Sequence, residues 1–209
     1  MRSLICLLLL SFNATAALYD RGNGLIYDDV LDITWLQDAN YAQTSGYSSN
    51  GNLTKIEAEA WVNNLNYNGH NDWRLPSTRG ITDYGSSESN TELGHMFVNN
   101  LGAPSIPCCN IFVDPEYFDA SIQQENNILN VLSYAYWFAE STEYQYPRDS
   151  YAYFFTNSGS LYESNGAHFS LLVWPVHDGD IGASPVPLPA GIYLFLSGLV
   201  GLGLIKRRK

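Results

Sequence analysis

Residues 54–77 read TKIEAEAWVNNLNYNGHNDWRLPS and combine a helix start, an apolar face and a loop that ends in Trp-Arg-Leu-Pro. Thr54 and Glu57 match a capping box, in which each side chain bonds the backbone N–H of the other residue. Apolar residues then recur at helical spacing and are expected to face the core: Ile56, Ala60, Trp61 and Leu65. The stretch therefore predicts a helix packed on a hydrophobic core, followed by an irregular loop.

Outward from this stretch, the pattern predicts a second helix over residues 90–101 that ends at Gly102. Its apolar side is expected to hold Leu93, Met96, Phe97 and Leu101. Strands are predicted at 25–27 and 33–35 across an Asp28-Asp29 turn, and at 134–138, 151–155, 160–163 and 169–176, with a hairpin turn at 157–159. The pattern therefore predicts two helices and several short strands around an aromatic core.

The central part of the chain, residues 17–185, holds all 21 acidic residues but only five basic ones, so its formal charge is −16. The basic residues are Arg21, Lys55, Arg74, Arg79 and Arg148. This charge argues against nucleic acid and anionic membranes as partners. It is compatible with divalent cations and neutral glycans, and equally with a role of the acidity in solubility alone.

The N-terminus has the order of a secretory signal peptide. Arg2 precedes an apolar run over residues 4–12, and small residues stand at Ala14 and Ala16 before the expected cut. The prediction is a signal peptide over residues 1–16, with the mature chain starting at Ala17 and Cys6 removed with the signal.

The C-terminus has three parts. The pentapeptide Val186-Pro187-Leu188-Pro189-Ala190 is followed by an uncharged apolar stretch over residues 191–205 and by a basic cluster, Lys206, Arg207, Arg208 and Lys209. Fifteen residues make about 22 Å of helix, a short transmembrane helix beside a hydrocarbon core of about 30 Å. The basic cluster is expected to act as a cytoplasmic stop-transfer signal, leaving everything before Val186 outside.

This order resembles the PEP-CTERM sorting tail in its Val-Pro-Leu-Pro-Ala variant; a plain single-span anchor is the alternative. The resemblance implies a Gram-negative-type host in which an exosortase removes the helix and releases or attaches the rest. The protein is then anchored in the inner membrane before processing and reaches the cell surface or extracellular matrix afterwards. The expected organisation is signal peptide 1–16, ectodomain 17–180, linker and sorting motif 181–190, transmembrane helix 191–205 and basic tail 206–209.

Several short sequence motifs of the ectodomain also occur together in a known family. They are LYDRG at 18–22, LIYDDVLDITWLQDANY at 25–41, DWRLPS at 72–77, YWFAESTE at 136–143 and VWPV at 173–176. Residues 18–179 thereby resemble the Lcl C-terminal domain family, a domain of unknown function. The resemblance implies a small α+β domain, in which two helices flank short twisted antiparallel sheets and the first and last strands pair. The implied fold is similar to C-type-lectin-like and formylglycine-generating-enzyme-like domains.

Most residues of these motifs are expected to stabilise the fold rather than to take part in catalysis or ligand binding. They are Trp61, Asp72, Trp73, Arg74, Leu75, Pro76, Trp137 and Trp174. All five tryptophans, including Trp35, lie in patterned elements and are expected to be buried. Arg74, with five N–H donors, is expected to tie loops together through carboxylate or backbone acceptors rather than to bind a ligand. Asp28, Asp29 and Asp32 are read as turn formers, with a calcium loop as the alternative.

Adjacent Cys108 and Cys109 leave two interpretations open, a vicinal disulfide or two separate thiols. Their Cα atoms lie about 3.8 Å apart across a trans peptide, below the usual disulfide range of about 4.4–6.8 Å. The four histidines, His70, His95, His168 and His177, lack zinc-site spacing. No phosphate loop, nucleophile elbow or C-type-lectin sugar motif occurs, so neither catalytic residues nor a cofactor are predicted.

The expected function is that of an exported, non-enzymatic binding or matrix protein. Aromatic, Asn-rich and Tyr-rich loops suit stacking on sugars, and exopolysaccharide is the expected partner besides the exosortase and the inner membrane. Two alternatives stay open: an enzyme of an unrecognised class acting on an envelope polymer, and a purely structural matrix component.

Overall fold

The computed structural model of the protein describes residues 18–81, 89–103, 126–142, 149–154, 160–165 and 169–182. Its strands are β1 (Leu18–Gly22), β2 (Leu25–Asp28), β3 (Ile33–Leu36), β4 (Leu53–Thr54), β5 (Ala135–Thr142), β6 (Asp149–Phe154), β7 (Ser160–Asn165), β8 (Ser170–Leu171) and β9 (Val176–Asp178). Its α-helices are α1 (Tyr41–Thr44), α2 (Lys55–Asn63) and α3 (Glu92–His95), and a π-helical turn, Met96–Asn100, continues α3. The α+β class is confirmed.

Three small antiparallel sheets organise the strands, in the orders β1-β2-β3-β9, β4-β8 and β5-β6-β7. The expected pairing of first and last strands is wrong, because β9 lies beside β3, where Trp35 is opposite Val176. Strand β3 is buried along its whole length, whereas β1 is mostly exposed and forms the outer edge. The final strand therefore adds to the edge nearer the core.

Helix α2 begins as predicted but presents a different face. The capping box is confirmed, since the Thr54 side chain accepts from Glu57 N–H and the Glu57 side chain from Thr54 N–H. Trp61 and Leu65 are buried, but Ile56 is 61% exposed and Ala60 is exposed as well. The rest of the buried face is Lys55, Ala58 and Val62, so it includes a lysine and excludes the predicted Ile56 and Ala60.

The second predicted helix is confirmed in position but is not a regular α-helix. Thr91 caps it by accepting from Gly94 N–H, and all four predicted apolar side chains are buried. From Met96 onward the turn widens, and Leu101 N–H donates to Met96 C=O at 2.9 Å, an i to i+5 bond. Gly102 follows with φ +66°, as expected of a residue that ends a helix.

The later strands are confirmed near their predicted positions except at the C-terminal side. Residues 169–176 form two short strands, β8 and β9, separated by residues 172–175. Pro175 lies in that gap and has no N–H for a ladder. The predictions missed β1, β4 and α1, and the predicted turn at 157–159 lies outside the described residues.

All five tryptophans are buried, with exposures of 7% or less, which confirms the expected aromatic core. Trp35 and Trp174 belong to one hydrophobic cluster, and Trp61, Trp73 and Trp137 to a second. Three indole N–H groups donate to backbone carbonyls, those of His70, Leu53 and Leu36. Trp35 N–H has no acceptor within the described residues.

Among the described residues no helix has the length and apolar character needed to cross a membrane. The predicted signal peptide and the tail over residues 186–209 lie outside these residues.

Candidate functional site

Arg74 is the centre of a charged cluster that joins three parts of the chain. Its guanidinium donates to both carboxylate oxygens of Glu92, at 2.8 and 2.9 Å, and twice to Asp178 Oδ1, at 2.9 and 2.6 Å. A fifth bond, of 3.1 Å, reaches the carbonyl of Leu75. Burial alone would lower the pKa of Arg74, but Glu92 and Asp178 outweigh it and raise that pKa. The side chain is fixed as a cation.

The backbone of residues 74–76 also makes hydrogen bonds to neighbouring strands. Arg74 N–H and C=O both bond Val176, at 2.9 Å each, so the motif forms a bridge to β9. Leu75 and Pro76 are buried, and the carbonyl of Pro76 accepts from Ala139 N–H at 2.7 Å. Asp72 is exposed, with φ +61°. The motif thus shapes a turn between the β9 edge and β5.

Two acidic side chains continue this cluster along residues 77 and 78. Glu92, with 7% of its side chain exposed, accepts from Ser77 N–H at 2.7 Å as well as from Arg74. Glu140 accepts from the Ser77 hydroxyl at 2.5 Å and from Thr78 N–H at 2.8 Å. Both carboxylates therefore serve to fix the loop after Pro76.

Lys55 is a buried cation on α2 that sequence reasoning missed. Its ammonium group donates to the carbonyls of Phe138 and Ala139, the latter at 2.8 Å, and lies 3.2 Å from Glu59. Burial lowers the pKa of Lys55, while Glu59 acts in the opposite direction. Its bonds fasten α2 to β5.

A second buried polar group surrounds Asp28. One carboxylate oxygen accepts from Val30 and Leu31 N–H, at 3.1 Å each, which supports the turn-forming interpretation of this aspartate. The other accepts from the Asn100 amide at 2.7 Å and lies 3.8 Å from His95 Nε2. Burial lowers the pKa of His95, although Asp28 opposes the shift.

A continuous row of rings, called here the aromatic row, covers the second hydrophobic cluster. Its members in spatial order are Tyr47, Trp61, Tyr41, Tyr67, Trp73, His177 and His70, with successive centroids 5.1–6.3 Å apart. Tyr47 is 54% exposed, and Tyr41, Tyr67 and both histidines are partly exposed. Burial raises the pKa of Tyr67, and so do the nearby Tyr41 and Asp38. The row is therefore buried at its tryptophans and open to solvent elsewhere.

Comparison of the sequence with models of protein families identifies the family of this chain. The model of the Lcl C-terminal domain matches residues 24–177, which is well over half of the chain. The chain belongs to the Lcl C-terminal domain family. Comparison with curated proteins and with solved structures found no significant match. The matched residues include the whole aromatic row as well as Arg74 and Glu92, and they end one residue before Asp178.

Within this domain, the structure brings Arg74 to Val176 and Trp73 to His177 on the final segment. Trp174 instead belongs to the other hydrophobic cluster and donates to the carbonyl of Leu36. The contacts of Arg74 are with carboxylates and a backbone carbonyl, the acceptors expected from the sequence. Glu92, Asp178 and Glu140 were not predicted, and no local signal in the sequence marks them. Cys108, Cys109 and the sorting tail lie outside the described residues. Across the described residues, no three His, Cys, Asp or Glu side chains are grouped so that they could hold a metal ion.

Proposed function

We propose that this protein is exported, sorted by an exosortase, and works outside the cell by binding polysaccharide, without enzymatic turnover. The observation that carries the proposal is the complete use of the Arg74 donors. A guanidinium has five N–H groups, and Arg74 makes five hydrogen bonds within the domain. All five N–H groups of Arg74 are therefore used within the domain, and we assign ligand binding to a different surface.

The proposed binding surface is formed by other loops, which are aromatic and rich in amides. Tyr41, Tyr47 and Tyr67 form the solvent-open part of the aromatic row, and Asn66, Asn68 and Asn71 lie exposed beside Tyr67. Aromatic rings supply flat apolar faces, and amides both donate and accept hydrogen bonds. This combination supports recognition of a polyhydroxylated ligand.

Export and sorting are proposed from the two ends of the sequence. A charged, apolar and small-residue order at the N-terminus supports a signal peptide, and residues 186–190 with the following apolar and basic stretches support the PEP-CTERM assignment. After processing, the domain would be displayed on the cell surface or held in the extracellular matrix. An acidic domain of formal charge −16 is suited to solubility in that location.

We also propose that the α+β arrangement is C-type-lectin-like. The final strand β9 adds to the N-terminal hairpin, and helix α2 is followed by the Arg-Leu-Pro turn. In such folds the ligand is not determined by the fold itself, so function has to be argued from the exposed residues.

The test is to measure polysaccharide binding and turnover on the same preparation. The purified protein is expected to be retained by at least one neutral polysaccharide and to release no reducing ends or oligosaccharides from it. Binding without turnover supports the proposal. Turnover that one point substitution abolishes would show an enzyme instead, and the absence of binding to any polysaccharide would refute the proposed ligand class.

A further inference from the structure

Two segments of the domain carry no charged residue at all. Residues 39–54 and 60–71 contain no Asp, Glu, Lys or Arg, although residues 17–185 have a formal charge of −16. The same two segments contain eight asparagines. Acidity that serves solubility does not account for two segments without any charged residue.

The fold places these two segments side by side. Tyr47 of the first stacks near Trp61 of the second at 5.7 Å, with ring planes 32° apart, and Tyr41 lies 5.1 Å from Tyr67 in an edge-on contact. Together they form one surface, called here the uncharged face, whose exposed rings are Tyr41, Tyr47 and Tyr67. Within the described part of the chain, the hydroxyl groups of Tyr41 and Tyr47 make no hydrogen bond and can meet a ligand, whereas the Tyr67 hydroxyl is packed against Gly24.

Charges on the intervening part of α2 are already engaged. Lys55 is buried and paired with Glu59 at 3.2 Å, and Glu57 is bonded to Thr54 in the capping box. The charged residues between the two segments therefore make bonds within the domain.

The loops of the uncharged face are held by their own amides. In the second loop, Asn66 donates to Asn71 at 2.9 Å and accepts from Gly69 N–H, and Tyr67 and His70 exchange two backbone bonds of 3.0 Å. In the first loop, Gln43 donates to Ser49 C=O at 3.2 Å and accepts from Asn40.

Close backbone contacts hold the loops as well. A Cβ on Gly24 would lie 2.0 Å from the Tyr67 hydroxyl, so that tyrosine rests directly against the backbone of the β1–β2 turn. Rings held in place lose little further freedom when a ligand binds.

We propose that the uncharged face is the binding site of the domain and that its ligand is a neutral polysaccharide, stacked on Tyr47 and Tyr41 and hydrogen-bonded by hydroxyls and amides. This inference rests on the proposed polysaccharide-binding function and adds the site and the charge class. An anionic polysaccharide would gain no cation on this face and would be repelled by the acidic remainder of the domain. A sugar ring without charge meets aromatic faces for its C–H groups and amides for its hydroxyls.

The experiment is affinity electrophoresis of the full chain, kept in a zwitterionic detergent without a sugar head group. The gels contain dextran, mannan or laminarin as neutral probes, and alginate as the anionic probe. Retardation by a neutral probe is expected, with none by alginate. Tyr47→Ala should weaken binding by about tenfold, in line with loss of one exposed aromatic contact, while Tyr47→Phe keeps the ring and most of the affinity.

Tyr134→Ala is the matched control, because Tyr134 is 45% exposed and lies outside both uncharged segments. Its affinity is expected to equal that of the wild type. If a neutral probe retards the wild type and Tyr47→Ala equally, the uncharged face is not the site, although the polysaccharide-binding function survives. If no neutral probe retards the wild type, both proposals fail. If Tyr47→Ala lowers the oligomer size by light scattering without changing retardation, the face joins two copies of the chain and the site is refuted.

Discussion

Replacing Arg74 by Met leaves the buried carboxylate of Glu92 without its cation. In the native domain, Arg74 makes two bonds to Glu92, and only 7% of the Glu92 side chain is exposed. Methionine fills much of the same space but donates no hydrogen bond. The other partner, Asp178, is 77% exposed on its side chain and can be hydrated after the change. The cost of the substitution therefore falls on Glu92.

The expected magnitude follows from this difference in burial. Removing one partner of a buried ion pair costs about 3–5 kcal/mol, because the remaining charge stays uncompensated. Glu92 keeps one donor, Ser77 N–H at 2.7 Å, so we expect the lower part of that range, about 3 kcal/mol. With a urea dependence of about 2 kcal/mol/M for a domain of this size, the unfolding midpoint should fall by about 1.5 M.

Urea unfolding of residues 17–185, followed by tryptophan fluorescence, measures this loss. The double variant Arg74→Met/Glu92→Gln should recover about 1 kcal/mol or more relative to Arg74→Met, since it removes the stranded charge. Arg21→Met is the control, because the Arg21–Asp180 pair has a more exposed carboxylate and should cost about 1 kcal/mol or less. An unfolding free energy for Arg74→Met within 0.5 kcal/mol of wild type, about the size of an ordinary surface effect, would refute the reasoning.

Three further predictions concern the core, the buried histidine and the tail. Trp61→Ala should lower the unfolding free energy by about 3–5 kcal/mol, and Ile56→Ala, on the exposed face of the same helix, by about 0.5 kcal/mol or less; equal losses would contradict the observed face. His95 has a pKa below its usual 6.5 in the fold, so the unfolded chain binds the proton more readily and stability should fall as pH drops below about 6.5. In His95→Gln, the urea unfolding midpoint should depend less on pH between pH 5 and 8. If its pH dependence is unchanged, the loss of stability at low pH comes from other groups. The double variant Pro187→Ala/Pro189→Ala should insert into the membrane normally, but processing of a tagged chain should be impaired. If the wild-type full-length form accumulates equally in hosts with and without an exosortase, residues 186–209 are only a membrane anchor.

The features that the sequence predicted correctly depend on neighbouring residues. The capping box joins Thr54 to Glu57, and the end of the second helix depends on Gly102, so both are contained within a few residues. The buried face of α2 was misjudged because Lys55 gains its partners, the carbonyls of Phe138 and Ala139, from a strand more than 80 residues away. No periodicity in α2 can reveal such acceptors.

The contacts of the candidate site were likewise not predictable from local sequence patterns. The kind of partner that Arg74 binds was predictable from its five donors, but the partners are 18 and 104 residues away in the sequence. The abundance of Tyr and Asn was visible, yet the stacking of Tyr47 on Trp61 depends on how two loops pack. The pairing of β3 with β9 likewise joins residues more than 140 positions apart.

The ways in which charged pairs and amides hold this domain bear on the proposed site. Charged pairs hold distant segments: Arg21 to Asp180, Arg74 to Asp178 and Arg74 to Glu92. Amides and hydroxyls hold the loops of the uncharged face locally, as in the bonds from Asn66 to Asn71 and from Gln43 to Ser49. The first loop is also held by the Asp38 carboxylate, which accepts from Asn40 N–H at 2.9 Å and from the Thr44 hydroxyl at 2.6 Å. Both loops are therefore fixed by bonds within the domain and contain no charged residue of their own. A charge placed at Asn68 should disturb neutral ligand binding and leave the Arg74 cluster intact, although it also removes the bond from the Asn68 amide to Asn23 C=O, of 2.6 Å.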